Sequence, residues 1–126
     1  MELTDLLSAW LAKIEQENPP GKEIVALNFG MLNSDKGYMV YLTGAEVYDP
    51  DDDDWAGEID YQPIRANKYL LLPREVTKGL KWRGVLDLVA NSLRELAAKK
   101  VNTGIFEGRI AAAGYDDSEL FLVTGF

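Results

Sequence analysis

Leu3, Leu6, Leu7, Trp10, Leu11 and Ile14 recur at intervals of three and four residues, which lines one face of an amphipathic helix. Asp5, Ser8, Lys13, Glu15 and Gln16 fall on the opposite side. Asn18-Pro19-Pro20-Gly21 ends the helix, because proline has no amide to donate and restricts the residue before it. Trp10 reads as a core side chain packed on a sheet. From Glu23 to Met31 the period changes to two, with Val25, Leu27, Phe29 and Met31 alternating onto one face of a strand. Asn33-Ser34-Asp35-Lys36-Gly37 is turn chemistry, and its glycine suits a positive φ. Tyr38–Gly44 returns as a second strand, with Tyr38, Val40 and Leu42 on one face and Met39, Tyr41 and Thr43 on the other. Together these stretches predict a hairpin. Tyr69-Leu70-Leu71-Leu72, closed by Pro73, predicts a third strand, and Glu75–Lys81 a polar connector.

The clearest helical pattern follows. Trp82, Val85, Leu86, Val89, Leu93, Leu96 and Ala97 share a face through Lys99, opposite Arg83, Asp87, Asn91, Arg94 and Glu95. Lys99 and Lys100 fall where cations offset the helix dipole, and Asn102-Thr103-Gly104 supplies a stop. Ile105–Gly114 and Glu119–Gly125 alternate again around Tyr115-Asp116-Asp117-Ser118, which predicts a second hairpin. Ala111-Ala112-Ala113 are poor strand formers, and their small side chains predict a helix lying close on that strand. The order α-β-β-β-α-β-β predicts a single α+β domain over 1–126: an antiparallel sheet of about five strands with two helices packed on one face. A chain of 126 residues is long enough to bury a real core.

Between the second and third strands the pattern breaks. Glu46-Val-Tyr-Asp-Pro-Asp-Asp-Asp-Asp-Trp-Ala-Gly-Glu-Ile-Asp60 carries eight acidic residues and no Lys or Arg. The chain has 21 acidic and 13 basic residues, so beyond this segment the charges balance and the net −8 resides in one loop. Its flanks hold Tyr48, Trp55, Ile59 and Tyr61, side chains suited to pinning the loop to the body. Arg65, Lys68 and Arg74, close in sequence, are read as balancing its charge.

Composition narrows the chemistry further. There is no cysteine, which removes disulfides, thiolate nucleophiles and thiolate metal sites, and no histidine, which removes the commonest general base and transition-metal ligand. A Ser-His-Asp triad is excluded, and no cofactor is expected. With a pI near 4.5, nucleic acid and anionic membranes are poor partners, while basic proteins and cations are natural ones. No apolar run reaches the ~18 residues of a membrane-crossing helix, and the acidic start Met1-Glu2-Leu3-Thr4-Asp5 does not read as a secretory signal, so a cytoplasmic location is expected.

Three chemistries compete for the acidic loop and the hairpin turns. Asp49, Asp51, Asp53 and Asp60 fall at positions one, three, five and twelve of a calcium-loop register, so a Ca²⁺ or Mg²⁺ site is one alternative. Against it, Asp54 stands where such loops need glycine, and Asp60 where they need a bidentate Glu. Asp35, Asp116 and Asp117 would serve acid–base catalysis only by meeting across a cleft, and Asp in a turn ordinarily bonds its own backbone. Protein recognition fits best: Asp51, Asp52, Asp53, Asp54, Glu58 and Asp60 would steer a basic partner, with Tyr48 and Trp55 as aromatic anchors. The expected function is a non-enzymatic acidic binding domain, a monomer or, through exposed sheet edges, a homodimer.

Two stretches, Gly37-Tyr-Met-Val-Tyr-Leu-Thr-Gly-Ala-Glu-Val-Tyr-Asp-Pro-Asp-Asp-Asp-Asp-Trp-Ala56 and Ala113-Gly-Tyr-Asp-Asp-Ser-Glu-Leu-Phe-Leu-Val123, resemble small acidic bacterial proteins of uncharacterised type that are similar to the immunity proteins of toxin systems. The resemblance implies a cytoplasmic protein that binds and blocks a toxin, and it rests on no catalytic motif.

Overall fold

The computed structural model describes residues 2–115 and 120–124. The chain runs α1 (Leu3–Glu17), β1 (Ala26–Ser34), β2 (Gly37–Ala45), β3 (Tyr69–Leu71), α2 (Arg74–Thr77), α3 (Trp82–Ala98), α4 (Thr103–Phe106), β4 (Ile110–Tyr115) and β5 (Phe121–Thr124). Single 3₁₀ turns at Asp53–Gly57 and Arg65–Lys68 lie between β2 and β3. The two long helices and the first hairpin stand where the hydrophobic pattern puts them. α2 and α4 are additions to the expected order. α4 replaces the start of the expected strand: Gly108 takes a positive φ of 74°, and Phe106 turns into the core, its ring 6.0 Å from that of Phe29.

The sheet order is β3-β2-β1-β4-β5. β1 pairs antiparallel with β2, from Ala26 opposite Ala45 to Ser34 opposite Gly37, and Gly37 closes that turn at φ 124°. β2–β3 and β4–β5 are also antiparallel. β1 and β4 are parallel, with Ala26 beside Ile110 and Met31 beside Tyr115. The sheet is therefore mixed, which corrects the expectation of a purely antiparallel one. A parallel neighbour needs a crossover connection, and α3 lies on that path, packed against β4 and β5. The Asp116–Ser118 turn expected between β4 and β5 lies outside the described residues.

The pleat sorts the sheet into two unequal faces. Leu27, Phe29, Met31, Val40, Leu42, Ala111, Ala113 and Val123 join Leu7, Trp10, Leu11, Ile14, Val85, Leu86, Val89 and Leu93 in one core, so both long helices cover one face. Trp10 is a core residue as expected; its Nε1 donates to the Asn67 carbonyl at 2.9 Å. Arg109 fastens the approaches to β1 and β4, its guanidinium donating to the carbonyls of Pro20, Gly21, Ile24, Gly104 and Ile105 at 2.8–3.1 Å. Burial pushes its pKa down, opposed by Tyr61 and Glu23 nearby. Among the described residues the opposite face carries no α-helix. Among the described residues no helix is long and apolar enough to cross a membrane.

Candidate functional site: a pinned acidic loop

The acidic segment leaves β2 and returns to it. The Gly44 amide donates to the Tyr61 carbonyl at 2.8 Å, and the amides of Asp60 and Tyr61 both donate to the Gly44 carbonyl, at 3.0 and 3.1 Å. These bonds form a stem that closes the loop at its base. Asp60 tightens it, its carboxylate accepting the Glu46 amide at 2.9 Å. Tyr61 seals the other side, where its hydroxyl donates to the Asn18 carbonyl at 2.6 Å and its ring lies against Gly44. Burial pushes the Tyr61 hydroxyl up to about 12, although the Arg109 charge pulls the other way.

Within the loop the aspartates organise their own backbone. Asp49 Oδ1 accepts the Asp51 amide at 2.9 Å. Asp52 Oδ1 accepts the Asp54 amide at 2.9 Å and so caps the 3₁₀ turn at Asp53–Gly57. That turn sends Trp55 down onto the sheet face that has no helix. Trp55 is only 6% exposed. It rests on Ala26, Ala45 and Ala112, and Tyr48 meets it edge to face at 5.3 Å. Three alanines from three adjacent strands make a flat seat, because any longer side chain would hold the indole off the sheet. At the seat's edge, Asn28 Nδ2 donates to the Ala56 carbonyl at 3.4 Å, while the buried Asn28 Oδ1 has no partner.

Asp51, Asp52, Asp53, Asp54, Glu58 and Asp60 are all exposed. Among the described residues the ion pair is Lys99 with Glu95, at 3.0 Å, so Arg65, Lys68 and Arg74 do not pair with the loop as expected. Ile59 also departs from expectation; it is 61% exposed and pins nothing. Val47, Tyr48, Asp49, Asp52, Asp54, Trp55 and Glu58 line an open depression of about 240 Å³. Its walls are carboxylates and its base is aromatic, a composition suited to the long apolar stem and charged head of Lys or Arg.

The calcium register is not gathered into a site. Asp49 and Asp60 are spent on backbone amides, and no group of three or more acidic side chains among the described residues could hold a metal ion. A larger depression of about 560 Å³ lies where α3, α4, β4 and β5 converge, lined by Lys100, Glu107 and Arg109 with Thr103, Thr124 and apolar neighbours. Among the described residues Glu107 is the one carboxylate in that lining, so no paired acids meet among them. Asp35 sits exposed in the first hairpin turn, and Asp116 and Asp117 lie outside the described residues.

Sequence reasoning places Tyr48, Trp55 and the exposed acids but misses the alanine seat and Asn28. The signal is present: Ala26, Ala45 and Ala112 occupy alternate positions facing away from the helices. Comparison with protein-family models, with curated proteins and with solved structures gives no match.

Proposed function

We propose that this chain is a non-enzymatic, cytoplasmic binding domain of the immunity or inhibitor kind, and that the 46–60 loop takes a basic partner protein, a toxin among the candidates. One observation carries the reading: a loop holding the whole net charge is fastened by a buried tryptophan, yet its carboxylates face solvent without cationic partners among the described residues. Fixing the acids in place removes part of the ordering cost that a flexible acidic tail would meet on binding. A field of one sign on a fixed surface also raises the on-rate of an oppositely charged protein.

The test is the Asp51→Asn, Asp52→Asn, Asp53→Asn, Asp54→Asn variant, titrated against a panel of small basic proteins that includes cationic nuclease domains. An exposed ion pair is worth roughly 0.2–1 kcal/mol, so losing four costs about 1–4 kcal/mol, or about fivefold to several hundredfold in Kd. The variant should keep its unfolding midpoint. A wild-type complex that tolerates the four substitutions at unchanged affinity places the partner elsewhere on the molecule.

A further inference from the structure

Among the described residues, the sheet face without helices is covered at the end where Trp55 sits. The strand register lays out the remainder in rows. Leu71, Met39 and Leu32 lie side by side across β3, β2 and β1, and Tyr69 lies beside Tyr41 in the next row. Tyr69 is 51% exposed and Leu71 44%. The two tyrosine rings meet edge to face at 6.3 Å, and Tyr41 lies across Gly30, where any Cβ would run into its ring. A contiguous apolar sheet face of this kind marks a contact surface.

What covers it is decided by charge. A second copy of this chain would bring two loops of eight acids to the rim of one interface, a like-charge arrangement that opposes pairing. An anionic membrane is repelled by the same loop. A cationic chain with an apolar side is complementary to both features at once. Resting on the reading of the loop given above, we infer that the open face is the apolar half of the same binding surface. Its occupant is an amphipathic basic segment of the partner protein, lying with its apolar side on Tyr41, Tyr69 and Leu71 and its Lys or Arg side chains toward Asp52, Asp54 and Glu58.

The probe is a helical Leu/Lys amphipathic peptide, set beside a scrambled peptide of identical composition that has no apolar face. Binding is followed by fluorescence anisotropy over a salt series. The protein variant is Tyr69→Ser with Leu71→Ser, two exposed positions whose replacement leaves net charge unchanged; circular dichroism checks its fold. The wild type should prefer the amphipathic peptide by about tenfold or more. The Tyr69/Leu71 variant should lose that preference while keeping the salt dependence, and the loop Asp→Asn variant should show a clearly weaker salt dependence while keeping the preference. An unchanged preference in the Tyr69/Leu71 variant overturns the role of the face and leaves the loop reading standing. Unchanged salt dependence in the loop variant overturns both. A wild type that sediments as a dimer, with the Tyr69/Leu71 variant monomeric, overturns the inference in favour of a second copy as the occupant.

Discussion

Replacing Trp55 with alanine tests whether the acidic loop is held or merely present. The indole is almost wholly buried on Ala26, Ala45 and Ala112. A side chain of this size buries roughly 150–250 Å², and at about 25 cal/mol per Å² its burial contributes about 4–6 kcal/mol. Against this stands the backbone order of Asp53–Gly57, at about 1–2 kcal/mol for each residue fixed. Over five residues that cost is about 5–10 kcal/mol, the same order as the indole's contribution, so without the indole the loop's remaining contacts do not hold it down. Its removal should therefore undock the loop instead of unfolding the sheet, since the helix-side core contains no atom of Trp55. The global unfolding free energy should fall by no more than about 2 kcal/mol, well short of the ~3–5 kcal/mol of an enclosed Trp→Ala cavity. Amide exchange separates the two outcomes. The Glu58 amide, bonded to the Trp55 carbonyl at 3.0 Å, should lose its protection, while the Gly44 amide in the stem keeps it. Full protection at Glu58 refutes the claim that Trp55 pins the loop; simultaneous loss at both sites, with a fall of 4 kcal/mol or more, shows Trp55 to be part of the global core.

Other perturbations reach the supporting structure. Arg109→Met leaves five carbonyls without their shared cation and should cost about 2–4 kcal/mol in urea unfolding; Arg109→Lys should recover part of the loss, because one ammonium cannot span all five acceptors. Tyr61 holds its proton more tightly folded than unfolded, so its contribution is complete below about pH 10 and is lost as pH rises to about 12. Stability measured against pH should therefore drop more for the wild type than for Tyr61→Phe in that window, and parallel curves would contradict this. Gly30→Ala should destabilise by about 1–3 kcal/mol by displacing the Tyr41 ring, with most of the penalty absent in a Tyr41→Ala background.

Local pattern reveals what local physics decides. The i, i+3, i+4 rows of α1 and α3 and the alternation of β1 and β2 were legible because each helix or strand turns one row of large apolar side chains into the same core. Which strands become neighbours is a different matter, since alternation says which residues share a face and nothing about who lies alongside. The parallel β1–β4 pair was hidden for that reason. Tyr69–Leu72 illustrates the same limit: it is the most apolar run in the region, yet Tyr69 and Leu71 stand exposed on an edge strand and only Leu72 is buried, just beyond it. Ala111–Ala113 is legible on one side of the sheet and not on the other. Ala111 and Ala113 admit the helix layer as expected, whereas Ala112 admits Trp55, a contact made from 57 residues away in the chain. In the acidic segment, the packing of Trp55 and Tyr48 against the body was legible from size and placement. Ile59 was not, because size alone does not tell which way a loop side chain points.

The central claim is that a fixed acidic surface recognises a basic protein. Its most direct test is a calorimetric comparison of the folded domain with a free peptide of residues 46–60, each titrated with the same basic protein at low and raised salt. The peptide carries the same eight acids, Tyr48 and Trp55 without the alanine seat. The account predicts that the domain binds at least about tenfold more tightly than the peptide, the gain coming from order established before contact, and that both complexes weaken with salt. Equal affinities for domain and peptide would show that charge alone is at work and that the pinning of the loop has no part in recognition.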